Sequence, residues 1–262
     1  MGPLSQLPEH LEELINELMN PAFIVGDSHF GLTNFVFYMI ICAIILVVLV
    51  ICVGRKLTLV PGNKFVHTVE YGYEFVRNDI GKGSIGKGFK KHIPFLATLF
   101  FFILIANFIG LVPGAKAATG SISIAWALAI ISFIYFNYWG IKTKGGLTYL
   151  KEIAPAGLPK IMVPVIWFFE FLSLCLRALT LAFRLFGNMF AGHMVLGIFA
   201  ILTSIFTTYA IQNAEYLIAL PSFAWLFFLF AMYMLEVLVA FLQAYVFTTL
   251  SAVYIQLATS SH

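Results

Sequence analysis

Charged side chains are scarce in this chain: Asp, Glu, Lys and Arg make up 10% of its 262 residues, 61% are hydrophobic, and the mean hydropathy is +0.96. A soluble domain carries roughly 25% charged residues to keep its surface wet. A chain with so few must use lipid as most of its solvent. The net charge of +3 is small and its basic residues do not line one face, so nucleic acid is not an expected partner. Cysteine is rare too. Cys42, Cys52 and Cys175 lie inside apolar runs with no C-x-x-C spacing, which argues against a disulfide framework and against a zinc site. Neither a metal nor an organic cofactor is expected. Lys and Arg are missing from residues 1–33, so this stretch is not expected to be a secretory signal, which opens on basic residues.

What the first 33 residues do contain is an acidic, amphipathic pattern. Leu7, Leu11, Leu14 and Leu18 recur at helical spacing beside Glu9, Glu12, Glu13 and Glu17, and Pro21 ends the run. A short helix lying on a membrane surface or a partner is expected there.

Five apolar stretches follow, at 34–54, 93–113, 121–141, 161–208 and 216–259. A helix rising about 1.5 Å per residue needs about 20 residues to cross a hydrocarbon core of about 30 Å. The first three fit. The last two, if wholly helical, would reach about 72 and 66 Å. They must be strongly tilted, broken or extended beyond the bilayer, and no charge run divides either. The expected fold is therefore an all-α membrane protein forming one membrane domain over 1–262. It has five membrane helices, the last two an antiparallel hairpin of long, tilted helices, with amphipathic interfacial helices added.

Basic residues orient it. The 55–92 loop carries Arg55, Lys56, Lys64, Arg77, Lys82, Lys87, Lys90 and Lys91, and the 142–160 loop Lys142, Lys144, Lys151 and Lys160. The opposite side has Lys116 alone, with none in 209–215. Such asymmetry puts the two basic loops in the cytoplasm, the N-terminus outside and the C-terminus inside. Within 55–92, Phe65, Val69, Tyr73, Val76 and Ile80 repeat at helical spacing, as in an interfacial helix. The glycine-rich run from Gly81 to Gly88 mimics a phosphate loop. It has glycine where magnesium needs Ser or Thr, and an amphipathic segment rather than a strand precedes it. A basic linker facing anionic headgroups is the expected role.

The polar residues inside the apolar runs carry the chemistry. A charge near mid-bilayer costs at least about 2.5–3.5 kcal/mol and usually marks an ion path. Glu170, Arg177 and Arg184 are spaced by seven, drifting about 20° per step around a helix. Ser173 and Thr180 flank the same stripe, and Asn188 stands one turn beyond Arg184. This seam reaches about 21 Å from the cytoplasmic end to Arg184. His193 falls on the opposite face. Glu236 and Gln243 share a face of the last helix, and antiparallel packing brings Glu236 to the depth of His193. Pairing of Glu170 with Arg177 is as plausible as a transport role for them. Arg184 has no acid within two turns, which implies a carboxylate on another chain. The small residues Gly187, Ala191, Gly192 and Gly197 would admit a partner helix or serve ordinary packing.

The run Leu181-Ala-Phe-Arg-Leu-Phe-Gly-Asn-Met-Phe-Ala-Gly-His193 resembles the signature of subunit a of rotary F-type ATP synthases. Leu242-Gln-Ala-Tyr-Val-Phe247 is similar to that family's second signature, and the likeness extends to Val60-Pro-Gly-Asn-Lys-Phe65, to Asn107 and the residues after it, and to the five-span layout. The resemblance implies a non-catalytic, proton-translocating stator subunit with two offset half-channels. Arg184 would face the carboxylates of a rotating c-subunit ring, near Gln243 and Asn188. His193 and Glu236 would line the outer half-channel, in the order found in mitochondrial-type members, and Glu170 the cytoplasmic one. Asn107, Ser173, Arg177 and Thr180 are supporting candidates, with the role of Arg177 open. Implied partners are the c-ring, the peripheral-stalk b subunits, other ATP synthase subunits and lipid. The implied location is a bacterial plasma (inner) membrane, with a mitochondrial-type membrane as the alternative. A secondary transporter would call for internal repeats, which the sequence lacks. A purely structural membrane anchor leaves the polar seam unexplained.

Overall fold

The computed structural model describes residues 7–19, 23–25, 32–55, 64–86, 88–112, 114–115, 117–151, 162–213 and 220–260. Residues 60–63 of the Val60 run, together with Pro21 and Lys116, lie outside them. The described chain is helical except for two short antiparallel strands, β1 (Phe23–Val25) and β2 (Leu32–Thr33). Five helices are long and apolar enough to span a bilayer: α2 (Asn34–Arg55), α4 (Ile93–Gly110), α5 (Ile122–Lys144), α7 (Val163–Asn213) and α8 (Leu220–Thr259). Helix is the form the physics requires, since lipid offers backbone N–H and C=O groups no partner and each span must satisfy its own. α7 runs through 51 residues, about 76 Å, well beyond the hydrocarbon thickness. It extends to Asn213, past the 208 expected from the sequence, because the 209–213 segment holds no helix breaker.

α4 is the central post. Leu96, Phe100, Ile103 and Ala106 are buried along it, against α2 on one side and α8 on the other. Pro94 sits in its first turn, where a missing N–H costs nothing. α4 ends at Gly110, three residues before the apolar run does, and the chain folds back so that Ala117 lies against Gly110.

Two amphipathic segments pack on the long helices. α1 (Leu7–Met19) packs on α7, with Leu7, Leu11 and Leu14 half-buried and Glu9, Glu12 and Glu13 exposed. The second, α3 (Lys64–Phe75), continues into a π-helical stretch, Val76–Ile85, which docks on α4 and α8. Val76 and Ile80 are buried as their spacing suggests, whereas Phe65 and Tyr73 are exposed and Val66 takes the inner face. The stripe is covered where the π-helical stretch docks on α4 and α8, and α3 ahead of it leaves Phe65 and Tyr73 open. Buried Val76, Ile80 and Ile85 repeat every four to five residues, not every three to four. Phe75 joins Phe100, Phe241 and Tyr245 at centroid distances of 6.1, 6.3 and 5.7 Å. The Gly81–Ile85 portion of the glycine-rich run is thus packed helix.

Candidate functional site

α7 and α8 pack as an antiparallel pair, and three cross-contacts set their register. Asn188 donates from Nδ2 to Gln243 Oε1 at 2.7 Å, His193 meets Glu236, and Phe199 stacks on Phe228 with centroids 5.9 Å apart. Numbers rise on one helix as they fall on the other, so Asn188 and His193 meet Gln243 and Glu236 along one seam.

At one end of that seam Glu236 is 2% exposed, and neither of its carboxylate oxygens has a hydrogen-bond partner among the described residues. His193 Nδ1 stands 4.0 Å from Glu236 Oε1. Gly192 makes this approach possible: a Cβ there would overlap the Glu236 carboxylate. A carboxyl kept in such a place without donors is costly unless it exchanges a proton or meets water. His193 also lines a cavity of about 650 Å³ with Phe190, Leu111, Tyr233 and Leu14. Leu14 closes one side by seating against Gly197, where a Cβ would lie 2.7 Å from its methyl carbon. Tyr233 donates to Leu111 O at 3.2 Å and holds α8 to the end of α4.

Arg184 lies elsewhere on α7, exposed like its chain neighbour Phe183. Among the described residues no ion pair reaches it; the pairs they form are His10–Glu13 and His193–Glu236. Gln243 is buried and bonds Asn188, one turn from Arg184. The small residues divide. Gly192 and Gly197 receive Glu236 and Leu14 from within the chain, while Gly187 has nothing within 4 Å and Ala191 is exposed. Arg184, Gly187, Asn188 and Ala191 therefore form an open stripe at i, i+3, i+4 and i+7.

Toward the start of α7, Glu170 and Ser173 are half-buried, and the Thr180 hydroxyl bonds back to Arg177 O at 3.0 Å. Among the described residues no ion pair joins Glu170 to Arg177. The Arg177 guanidinium lies instead 5.4 Å from the centre of the Tyr254 ring. Asn107, a supporting candidate, is fully buried as a brace. It donates to Ala240 O at 3.1 Å and accepts from Thr119 Oγ1 at 2.7 Å, fixing α8 one turn from Glu236. Sequence reading missed Thr119 and the Ser132–Ser251 hydroxyl pair, 2.8 Å apart between α5 and α8. Hydroxyls inside apolar spans were the available signal for the serine pair, whereas Thr119 stands in the short connection between two spans and gave none. Among the described residues no group of three or more His, Cys, Asp or Glu is placed to hold a metal ion.

The profile of the family described as ATP synthase A chain matches residues 36–256. The ATP synthase subunit a of Chlorobium phaeobacteroides is 36% identical over 255 residues, which cover 95% of this chain and 71% of the relative. That of Chloroherpeton thalassium is 38% identical over 247 residues, 92% of this chain and 70% of the relative. That of a Nocardioides species is 39% identical over 244 residues, 91% and 84%.

Proposed function

The chain belongs to the ATP synthase A chain family, and is thus an integral membrane component of the ATP synthase serving proton transport; from that premise we propose that it couples proton flow to rotation through two offset half-channels meeting at Arg184. The buried Glu236 carboxylate, facing His193 at the wall of the cavity, carries this reading. It gives a proton a titratable stopping place at a depth where a fixed charge would be costly.

A proton from outside passes His193 and Glu236 and neutralises a carboxylate on a c subunit. The neutral carboxyl can then move into lipid, which a charged one resists by several kcal/mol. As the ring turns, the next c carboxyl reaches Arg184, whose charge favours the ionised form, and its proton leaves on the Glu170 side. Arg184 also repels protons and blocks a direct leak between the routes. The open stripe of Gly187 and Ala191 beside it suits the close approach of a partner helix. Each proton crossing supplies about 2.3 kcal/mol per 100 mV. This chain makes no bond to phosphate itself. The c-ring and the peripheral-stalk b subunits are its partners. The basic loops face the cytoplasm of a bacterial plasma membrane, with the N-terminus outside.

Arg184→Ala tests the assignment. Assembled complexes should lose both ATP-driven proton pumping and proton-driven synthesis, and Arg184→Lys should restore little, since an ammonium lacks the planar fork and gives up its charge more readily on burial. Near-normal coupled synthesis in Arg184→Ala membranes would show that this residue is not the coupling charge.

A further inference from the structure

Arg177 is the charged residue of α7 to which this scheme gives no task. Its surroundings are built with care. α6 (Gly146–Lys151) inserts the Tyr149 ring into a notch on α5, where a Cβ on Gly140 would lie 2.6 Å from the ring. The Tyr149 hydroxyl donates to Asn137 Oδ1 at 2.9 Å, and Asn137 Nδ2 donates to Phe133 O at 2.8 Å. Tyr254 of α8 packs its ring 5.8 Å from that of Phe136, beside this wall. Arg177 lies on the Tyr254 face at 5.4 Å, within the range of about 6 Å over which a ring attracts a cation. Its charge also acts on Tyr149, opposing the upward push that burial gives that phenol.

Helical geometry offered Arg177 another partner. Side chains on a helix lean toward its N-terminus, and Glu170 lies seven residues that way, about 10.5 Å along the axis and about 20° around it. Glu170 leans the same way, so the two groups meet only when Arg177 lies extended along the helix and Glu170 turns back toward it. The attraction of opposite charges rewards that geometry where water is scarce. The structure keeps the guanidinium on the ring instead.

We propose that Arg177 is a positioning residue of the inner proton route: the Tyr254 ring holds its guanidinium away from Glu170, so that the Glu170 carboxylate stays free to exchange protons. This rests on the assignment of Glu170 to the inner half-channel. Without the ring, Arg177 swings onto Glu170 and the resulting ion pair closes the route.

The experiment uses whole complexes in inverted membrane vesicles and reads ATP-driven proton pumping at equal amounts of assembled enzyme. Tyr254→Leu should slow pumping by about tenfold, an effect of the size that contacting residues exert on one another. Tyr254→Phe, which keeps the ring, should stay within about twofold of the parent. In an Arg177→Gln background, adding Tyr254→Leu should change pumping by less than about twofold, since no guanidinium remains to swing. Tyr254→Met replaces Tyr254→Leu if the latter does not assemble. Three results overturn the proposal: no loss in Tyr254→Leu, an equal loss in Tyr254→Phe, or a loss in the Arg177→Gln background as large as in the parent. Glu170→Gln separates the two levels. Unchanged pumping in that variant removes the inner-route assignment itself, whereas slowed pumping in it, together with a Tyr254→Leu loss that Arg177→Gln does not relieve, removes the Arg177 proposal alone.

Discussion

Glu236 Oε1 on α8 stands 4.0 Å from His193 Nδ1 on α7, a separation longer than a direct hydrogen bond yet shorter than two. Glu236 is sealed from the surface while the His193 side chain is 20% exposed. A small rotation of the imidazole or a single bridging water would close this gap for a proton.

If these two groups act as one relay, His193→Ala and Glu236→Ala should each slow passive proton uptake into vesicles stripped of the catalytic head. The double variant should be little worse than the poorer single, because members of one network are not additive. The exchange His193→Glu with Glu236→His should recover more flux than either single swap, since only the exchange restores one acid and one imidazole face to face. Strictly multiplicative losses without recovery would mean that the residues work independently.

Gly192→Ala places a methyl where the Glu236 carboxylate lies. Overpacking of this kind costs about 1–3 kcal/mol, and here the carboxylate must move to relieve it. Proton uptake through the outer route should fall by at least about tenfold, the equivalent of about 1.4 kcal/mol. Gly54→Ala, where a Cβ meets nothing within 4 Å, should leave it unaltered. Equal uptake in the two variants would show that the Gly192 contact is not needed.

Topology is checked with cysteines placed at exposed His10 and Lys90 after Cys42, Cys52 and Cys175 are replaced. An impermeant thiol reagent should label the first from outside intact cells and the second only from the cytoplasmic side. Labelling of both from one side would overturn the five-span orientation.

His92, at the start of α4, gives a pH dependence. It is buried, with Nδ1 3.2 Å from the Tyr135 hydroxyl, and burial followed by the nearby Lys91 charge lowers its pKa from the ordinary 6.5. The folded chain therefore holds this imidazole neutral at a pH where the unfolded chain protonates it. Stability is full above about pH 6.5 and declines as pH falls toward the folded value, by at most about 1.4 kcal/mol per pH unit for one proton. Thermal melting of the detergent-solubilised complex should drop below pH 6.5, and His92→Gln should flatten that drop. An unchanged slope in His92→Gln would assign it to other groups.

Much of this architecture is written in the linear pattern. A run of about 20 apolar residues leaves the backbone no choice but helix in lipid, so the spans were legible to within a few residues. Arg184, Glu236 and Gln243 stood out for the same reason: polar groups in apolar runs are costly, and so conspicuous. The stripe through Phe65 and Tyr73 is not covered, because it is the following Val76–Ile85 stretch that docks on α4 and α8, a matter of tertiary contact that periodicity does not specify.

Sequence alone determined which segments cross the membrane and which side chains are out of place there, since both follow from the transfer of single groups between water and lipid. Tertiary structure decided who meets whom. Arg177 took the Tyr254 ring rather than Glu170, Gln243 took Asn188, Leu14 found Gly197, and Glu236 came to rest against Gly192. The reason is that a helix fixes only angle and rise, whereas these contacts depend on the register and depth at which separate helices pack, set by side-chain shape along the whole interface.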